Sequence, residues 1–315
     1  MIAYIVRRLA STVVVMAVVA FVVFSLLYLT PGDPAAVIAG DIATDEDIRR
    51  IHARLGLDEP FVVQFGRWLW ALAHGDLGTS IFTNLPVTQL IGQRVEPTLS
   101  LTLCTLVVAI AVAVPLGVVA AARAGTWLDR AVMAFSVLGF SVPVFVLAYI
   151  LILTFSIRLD WLPVQGYRSF RDGAWEWLRH LILPSIALGT VYVALIARIT
   201  RASMLDVLAQ DYVRTAQAKG LAPREVLIGH ALKNAAIPVM TIIGIGVALL
   251  ISGAIVTETV FALPGIGRLT VDAILRRDYP IIQGVTLLFS AVYVLVNLAV
   301  DLSYALLDPR IRYAT

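Results

Sequence analysis

The sequence predicts an all-α polytopic membrane protein with six transmembrane helices. Three observations predict it. Of the 315 residues, 60% are apolar and only 14% are charged, against about 45–50% and about 25% in soluble domains. The apolar residues gather into runs of about twenty, the length that crosses ~30 Å of hydrocarbon as helix. The basic residues flank these runs and form no patch, which leaves nucleic-acid binding without support.

The predicted spans are Leu9–Leu29, Thr98–Ala122, Ala131–Ile157, Leu181–Ala197, Ala235–Val256 and Ile281–Leu307. The first is too long for the apolar core of a cleaved signal. YLTPGDP after it also lacks a small-x-small site, so it reads as a retained span. The third and sixth are long enough to tilt or to extend beyond the bilayer. An even number of spans puts both termini on one side. Cytoplasmic termini give the inner segments Arg7, Arg8, Arg123, Arg130, Arg198, Arg201, Arg214, Lys219, Arg224, Lys233, Arg310 and Arg312. The short outer loops then hold Arg158, Arg168, Arg171, Arg179, Arg268, Arg276 and Arg277. This bias toward the inner side is the expected one. The chain divides into an N-terminus with the first span (1–30), an outer loop (31–97), a five-helix core (98–310) containing an inner loop (201–234), and an inner tail (311–315).

The outer loop carries two helical signals. Thr44 with Asp47 reads as a capping box. Ile48, Ile51 and Leu55 follow at helical spacing, and Gly56 can end the helix. After Asp58-Glu59-Pro60, a second stripe runs through Phe61, Phe65, Leu69 and Leu72, with Trp68 and Trp70 beside it, and Gly75 closes it. Two short amphipathic helices on the membrane surface, or a surface for a specific substrate, both accommodate this pattern. Within or beside the spans, Pro115, Pro143, Pro184 and Pro238 each remove a backbone donor and can kink a helix. The fifth span is rich in small residues: Gly244, Gly246, Ser252 and Gly253. Close helix packing and the lining of a route that opens and closes both explain them, and the two are compatible.

Catalytic signatures are not found. There is no G-x-x-x-x-G-K-[ST] loop and no Gly-Lys pair, so the chain is not expected to bind ATP in that manner. His52, His74, His180 and His230 stand apart, with no metal-ligand spacing. Cys104 is the only cysteine, which excludes an internal disulfide. The ionisable or polar candidates near the bilayer are Glu258, Asn297 and Asp301, all toward interfaces. No enzyme activity, cofactor or metal is predicted for this chain. If solute moves through the bundle, its energy source lies elsewhere.

That gap directs attention to DYVRTAQAKG, Asp211–Gly220, in the inner loop. Tyr212, Thr215 and Ala216 share one helical face, flanked by the small Ala218. Gly220 can cap the helix in a left-handed conformation, and Pro223 discourages continuation. The product is a short inner helix with a smooth, approachable surface, suited to docking or to plain connection.

DYVRTAQAKGLAPREVLIGHALKNAAIP, Asp211–Pro238, resembles the EAA loop of ABC importer permeases. Thr215 and Ala216 stand at the motif's start, Gly220 is its glycine, His230 takes the apolar position, and Leu232 is its leucine. Two departures are Thr215-Ala216-Gln217 at the start and Lys233 where proline would close. Both resemble the peptide branch of the family. MIAYIVRRL, LTPGDPA, LGLDEP, HGDLGTS, LIGQRVEPTLSLT, ARITRASMLDVL, VFALPGIGRL, RRDYPIIQG and DPRIRY extend the likeness to the B-type permeases of dipeptide, oligopeptide, glutathione and nickel importers.

The resemblance implies a type I importer permease in the cytoplasmic (inner) membrane of a prokaryote. Its implied partners are a sister permease, cytoplasmic ATPase subunits that bind ATP and Mg, an extracytoplasmic substrate-binding protein, and membrane lipid. Asp211–Leu221 is the implied coupling helix, with Arg214 and Lys219 free to pair with acidic groove residues. Gly244–Glu258 is the expected pore lining. Small peptides are the implied cargo, with glutathione a narrower variant and a nickel chelate a further one. The rival from another class is an ion-gradient-driven carrier, sensitive to Glu258 or Asp301.

Overall fold

The computed structural model describes residues 2–29, 33–40 and 43–307. Among these, no strand forms, and β pairing is confined to an isolated antiparallel bridge between Thr79 and Pro86. Five helices are long and apolar enough to cross a membrane, and a sixth span arises if one bent helix pair counts as one. The described chain falls into two compact units: residues up to Val95 with Arg268–Leu295, and Glu96–Gly267 with 296–307.

The first unit starts with α1 (Ile2–Leu29). α2 (Pro34–Ala39) follows, capped by Asp33. α3 (Asp45–Leu55) has the predicted reciprocal box, in which Thr44 and Asp47 satisfy each other's backbone N–H, and Gly56 (φ 64°) ends it. The Thr44 hydroxyl, then its N–H, hold the Asp47 carboxyl below its ordinary pKa. α4 (Phe61–Ala73) lays its aromatic stripe on α1. The Phe24 ring lies 5.5 Å from Phe61, 5.4 Å from Phe65 and 5.2 Å from Trp68. Tyr28 donates to the Gln64 carboxamide oxygen, and Gln64 donates to the Glu59 carbonyl at 2.6 Å. After the 79–86 turn comes α5 (Val87–Gly92). Ser80 donates to the buried Asp278 at 2.5 Å, which fixes that turn to the chain at the start of the last span.

The second unit is built around one long helix. α6 (Val95–Ala122) keeps Pro115 inside it. The third predicted span, Ala131–Ile157, is not a single straight helix. α7 (Trp127–Ser141) and α8 (Val144–Leu151), which continues as π-helix to Arg158, meet at 101°. Val142 is extended (φ −87°, ψ 120°), the conformation that a following proline, here Pro143, imposes. α9 (Ala174–Leu208) is far longer than the predicted Leu181–Ala197. The apolar run ends at Ala197, but the helix continues with an amphipathic pattern through ARITRASMLDVL, whose Thr200 and Met204 are buried.

α9 carries the core. Leu181, Leu188, Val193 and Ile196 are buried in one cluster with Leu101, Ile152 and Leu250. Glycines let its neighbours approach. A Cβ on Gly117 of α6 would lie 2.6 Å from Thr200, and one on Gly139 of α7 would lie 3.1 Å from Ala194, the small-residue contact expected between membrane helices. α10 (Asp211–Ala218) follows α9. Pro223 then opens α11 (Pro223–Glu225), and π-helix over Val226–Leu232 leads into α12 (Lys233–Val260). Proline at the first helical position has no N–H to lose, so Pro223 starts the next helix as well as barring continuation of α10. The chain finishes with α13 (Ile266–Arg276) and α14 (Tyr279–Leu307).

Candidate coupling site

α10 is short and depends on packing. Its N-cap, Gln210, makes no side-chain cap bond. Val213 (0% exposed) and Ala216 (8%) turn inward onto Val226, with Leu208 and Leu221 alongside. Asp211, Tyr212, Arg214, Thr215, Ala218, Lys219 and Gly220 are exposed. Ala216 therefore does not share the outer face with Tyr212 and Thr215, as the helical-wheel reading expects; it belongs to the anchoring face. In an eight-residue helix the anchor is set by Val213, three residues earlier, and by what Val226 offers it.

The C-terminus closes as a Schellman motif. Leu221 N–H donates to the Ala216 carbonyl at 3.3 Å, and Gly220 N–H donates to Gln217 at 2.9 Å. Gly220 sits at φ +82°, with no atom within 4 Å of where a Cβ would stand. The left-handed turn demands glycine, and the space beyond it is open. Thr215 donates its hydroxyl to the Asp211 carbonyl at 3.0 Å. Arg214 reaches Asp211 at 3.5 Å with both side chains largely exposed, a pair worth little in water and readily exchanged for another partner.

Behind α10 a cleft of about 450 Å³ is lined by Ala121, Ala122, Leu208, Gln217, Leu221 and Val226, among others. Leu232 is half-buried on the bundle side, packed with Met204, Ala231 and Ala235. α10 thus packs toward two neighbours, α9 through Leu208 and the segment leading into α12 through Val226.

A joint missed by the sequence reading lies close by. Arg201 of α9 grips Asp129 of α7 with two bonds, Nη2 to Oδ2 at 2.7 Å and Nε to Oδ1. Asp129 is 4% exposed and also accepts from the Gly125 N–H at 2.9 Å. The signal was present as a lone acid after a turn glycine. Only the fold pairs it with an arginine seventy-two residues on.

The predicted path residues are dispersed. Gly244 is buried, and a Cβ there would lie 2.0 Å from Val300 of α14. Gly246 is buried, 3.4 Å from the Tyr192 ring on the same measure. Ser252 and Gly253 lie in α12, but their side-chain surroundings, like that of Asp301, lie outside what is described. Asn297 is half-buried. Glu258 is fully buried at the far end of α12, about 21 Å of helix rise from Gly244. Its carboxylate accepts from Thr98 at 2.6 Å, and Thr98 in turn accepts from the Ile266 N–H at 2.8 Å. A Cβ on Gly265 would fall 2.2 Å from that carboxylate. Among the described residues, no three His, Cys, Asp or Glu side chains gather as a metal site.

Two family models cover the chain. Residues 113–313 match the binding-protein-dependent transport system inner membrane component, and residues 1–102 match the N-terminal model of the same system. The chain belongs to this family. A probable peptide ABC transporter permease protein of Sinorhizobium fredii is 56% identical, over 98% of this chain and 99% of its own. The dipeptide transport system permease protein DppB of Alkalihalophilus pseudofirmus is 43% identical, over 99% of this chain and 100% of its own. The glutathione transport system permease protein GsiC of Salmonella paratyphi A is also 43% identical, with the same two coverages. In structure, the inward-facing MetNI methionine ABC transporter aligns with a TM-score of 0.59 at 18% identity, covering 70% of this chain and 97% of that one. The chain is a multi-pass inner-membrane transport component with the fold of an importer permease.

Proposed function

We propose that this chain, paired with a sister permease, passes small peptides across the cytoplasmic membrane by alternating access. An extracytoplasmic binding protein delivers the peptide. Cytoplasmic ATPase subunits bind ATP and Mg, and α10 is the part they push. Both termini face the cytoplasm, on the same side as α10. The observation that carries the reading is the form of α10: its inner face is anchored by Val213 and Ala216, and its outer face is bare up to the open space at Gly220. Nucleotide-driven closure of the ATPases would bias the bundle between two states. The names of the relatives support peptide as cargo, and glutathione, itself a tripeptide, is the variant that the Salmonella relative favours.

The test is peptide uptake by proteoliposomes holding the full complex, with Gly220→Trp against the unaltered chain. Uptake should fall at least about tenfold, the equivalent of ~1.4 kcal/mol of docking energy, and ATPase co-purification should fall with it. Uptake that persists with the ATPase still bound would reduce α10 to a connecting loop. Uptake without any ATPase would favour a gradient-driven carrier.

A further inference from the structure

We infer that the first unit holds a site for a membrane phospholipid, at the end of α1 where α4 covers it. A cavity of about 260 Å³ opens there among Phe24, Leu27, Gln64, Trp68, Tyr279 and Gln283. Its walls are aromatic and aliphatic, yet two carboxamides line it, each only 7% exposed. Gln64 is spent on Tyr28 and Glu59. Gln283 is not: among the described residues its side chain has no hydrogen-bond partner. Its polar atoms open onto the cavity and are not sealed inside the protein, so a polar group entering there finds a free carboxamide to bond.

Position and charge identify the ligand's class. Phe24 and Leu27 lie in the last two turns of α1, and Gln283 lies in the second turn of α14. Both are ends of spans, the level of the lipid ester and phosphate groups rather than of the hydrocarbon centre. α4 turns Val62 (76% exposed) and Trp70 (70%) outward, as a helix lying in the interface does. Arg67 lines the same cavity, and only its Nη2 is engaged, by Glu59. A phosphate at Arg67, an ester carbonyl accepting from the Gln283 amide, and the start of one acyl chain along Phe24, Leu27 and Trp68 would satisfy every part. The volume falls short of the ~300–1,000 Å³ of sites that enclose a whole ligand, so the chains would continue into the bilayer. A free peptide fits less well, because no carboxylate lines the cavity to meet its ammonium group.

The site is tested in the full complex, reconstituted with a trace of phosphatidylglycerol bearing a diazirine near the glycerol end of one chain. Adducts mapped by mass spectrometry should fall on 61–73 and 279–283. Gln283→Leu should lower that labelling about fivefold, the worth of one neutral hydrogen bond. Ala71→Phe, which fills the cavity from α4, should abolish it. Labelling elsewhere on the chain serves as the reference, and saturating dipeptide should leave the adducts unchanged. No adduct on these segments of the unaltered chain, labelling indifferent to both variants, or displacement by dipeptide would overturn the site. The readout needs neither ATP nor uptake, so it stands or falls apart from the importer reading.

Discussion

α3 and α10 end alike and begin differently. Both run into a glycine in the left-handed region, Gly56 at φ 64° and Gly220 at φ 82°. In both, the residue after that glycine bonds back to the last full turn, Leu57 to His52 at 3.1 Å and Leu221 to Ala216 at 3.3 Å. At the other end, Thr44 and Asp47 cap α3 reciprocally, whereas Gln210 gives α10 no side-chain cap. α3 thus carries its own start and stop. α10 takes its position from the buried pair Val213 and Ala216 on Val226. A helix placed by its neighbours moves with them, as the proposed coupling role would require.

The largest test of this contrast is Val213→Asp. An unpaired carboxylate at this fully buried point should cost on the order of 3 kcal/mol. Hydrogen exchange over 211–218 should become fast and uptake should be lost, while exchange over 45–55 stays as it was. Thr44→Ala is the converse. It removes the hydroxyl that accepts from the Asp47 N–H, leaves the backbone N–H bond to the Asp47 carboxylate in place, and should cost about 1 kcal/mol locally, seen as faster exchange at 45–48 with uptake unchanged. Loss of uptake here would erase the distinction between the two helices. The smallest effect is expected from Gln210→Asp, which supplies α10 with the cap it lacks. It should slow exchange in the first turn by the equivalent of about 0.5 kcal/mol. No slowing would mean that packing already holds α10 as firmly as a cap could.

Local chemistry in the chain carried much of this fold. The Thr44 box, the ends at Gly56 and Gly75, and the left-handed Gly220 each follow from a few adjacent residues, and each appears as expected. Apolar runs of about twenty residues mark most spans for the same reason. What failed to appear in the sequence depends on distant partners. Four prolines could each kink a span, but the sequence does not say which will: the chain bends by 101° at Pro143, while Pro115, Pro184 and Pro238 stay inside helices. The inner end of α9 is polar enough to read as loop, and it is helical because Met204 has Ala121, Ala231 and Ala235 to bury against. At the candidate site, the segment was legible and its orientation was not. Ala216 faces inward because of Val226, and Arg201 finds Asp129 only across the fold.

The length of α9 has a mechanical consequence. From Pro184 to Leu208 it runs without another proline, about 36 Å of continuous rod. Proline is the point where such a rod yields most easily, and here it stands near the end remote from α10. A swing of only about 10° there would carry Leu208 through ~6 Å, roughly one helical turn. Leu208, with Val207 beside it, packs against the cluster that anchors α10. The arrangement has the geometry of a lever, with Pro184 as its pivot and Leu208 as its handle. On the proposed coupling, a push of a few ångströms at the handle would be geared down to a small rotation at the pivot, and modest nucleotide-driven movement outside the bilayer would become a change of tilt within it.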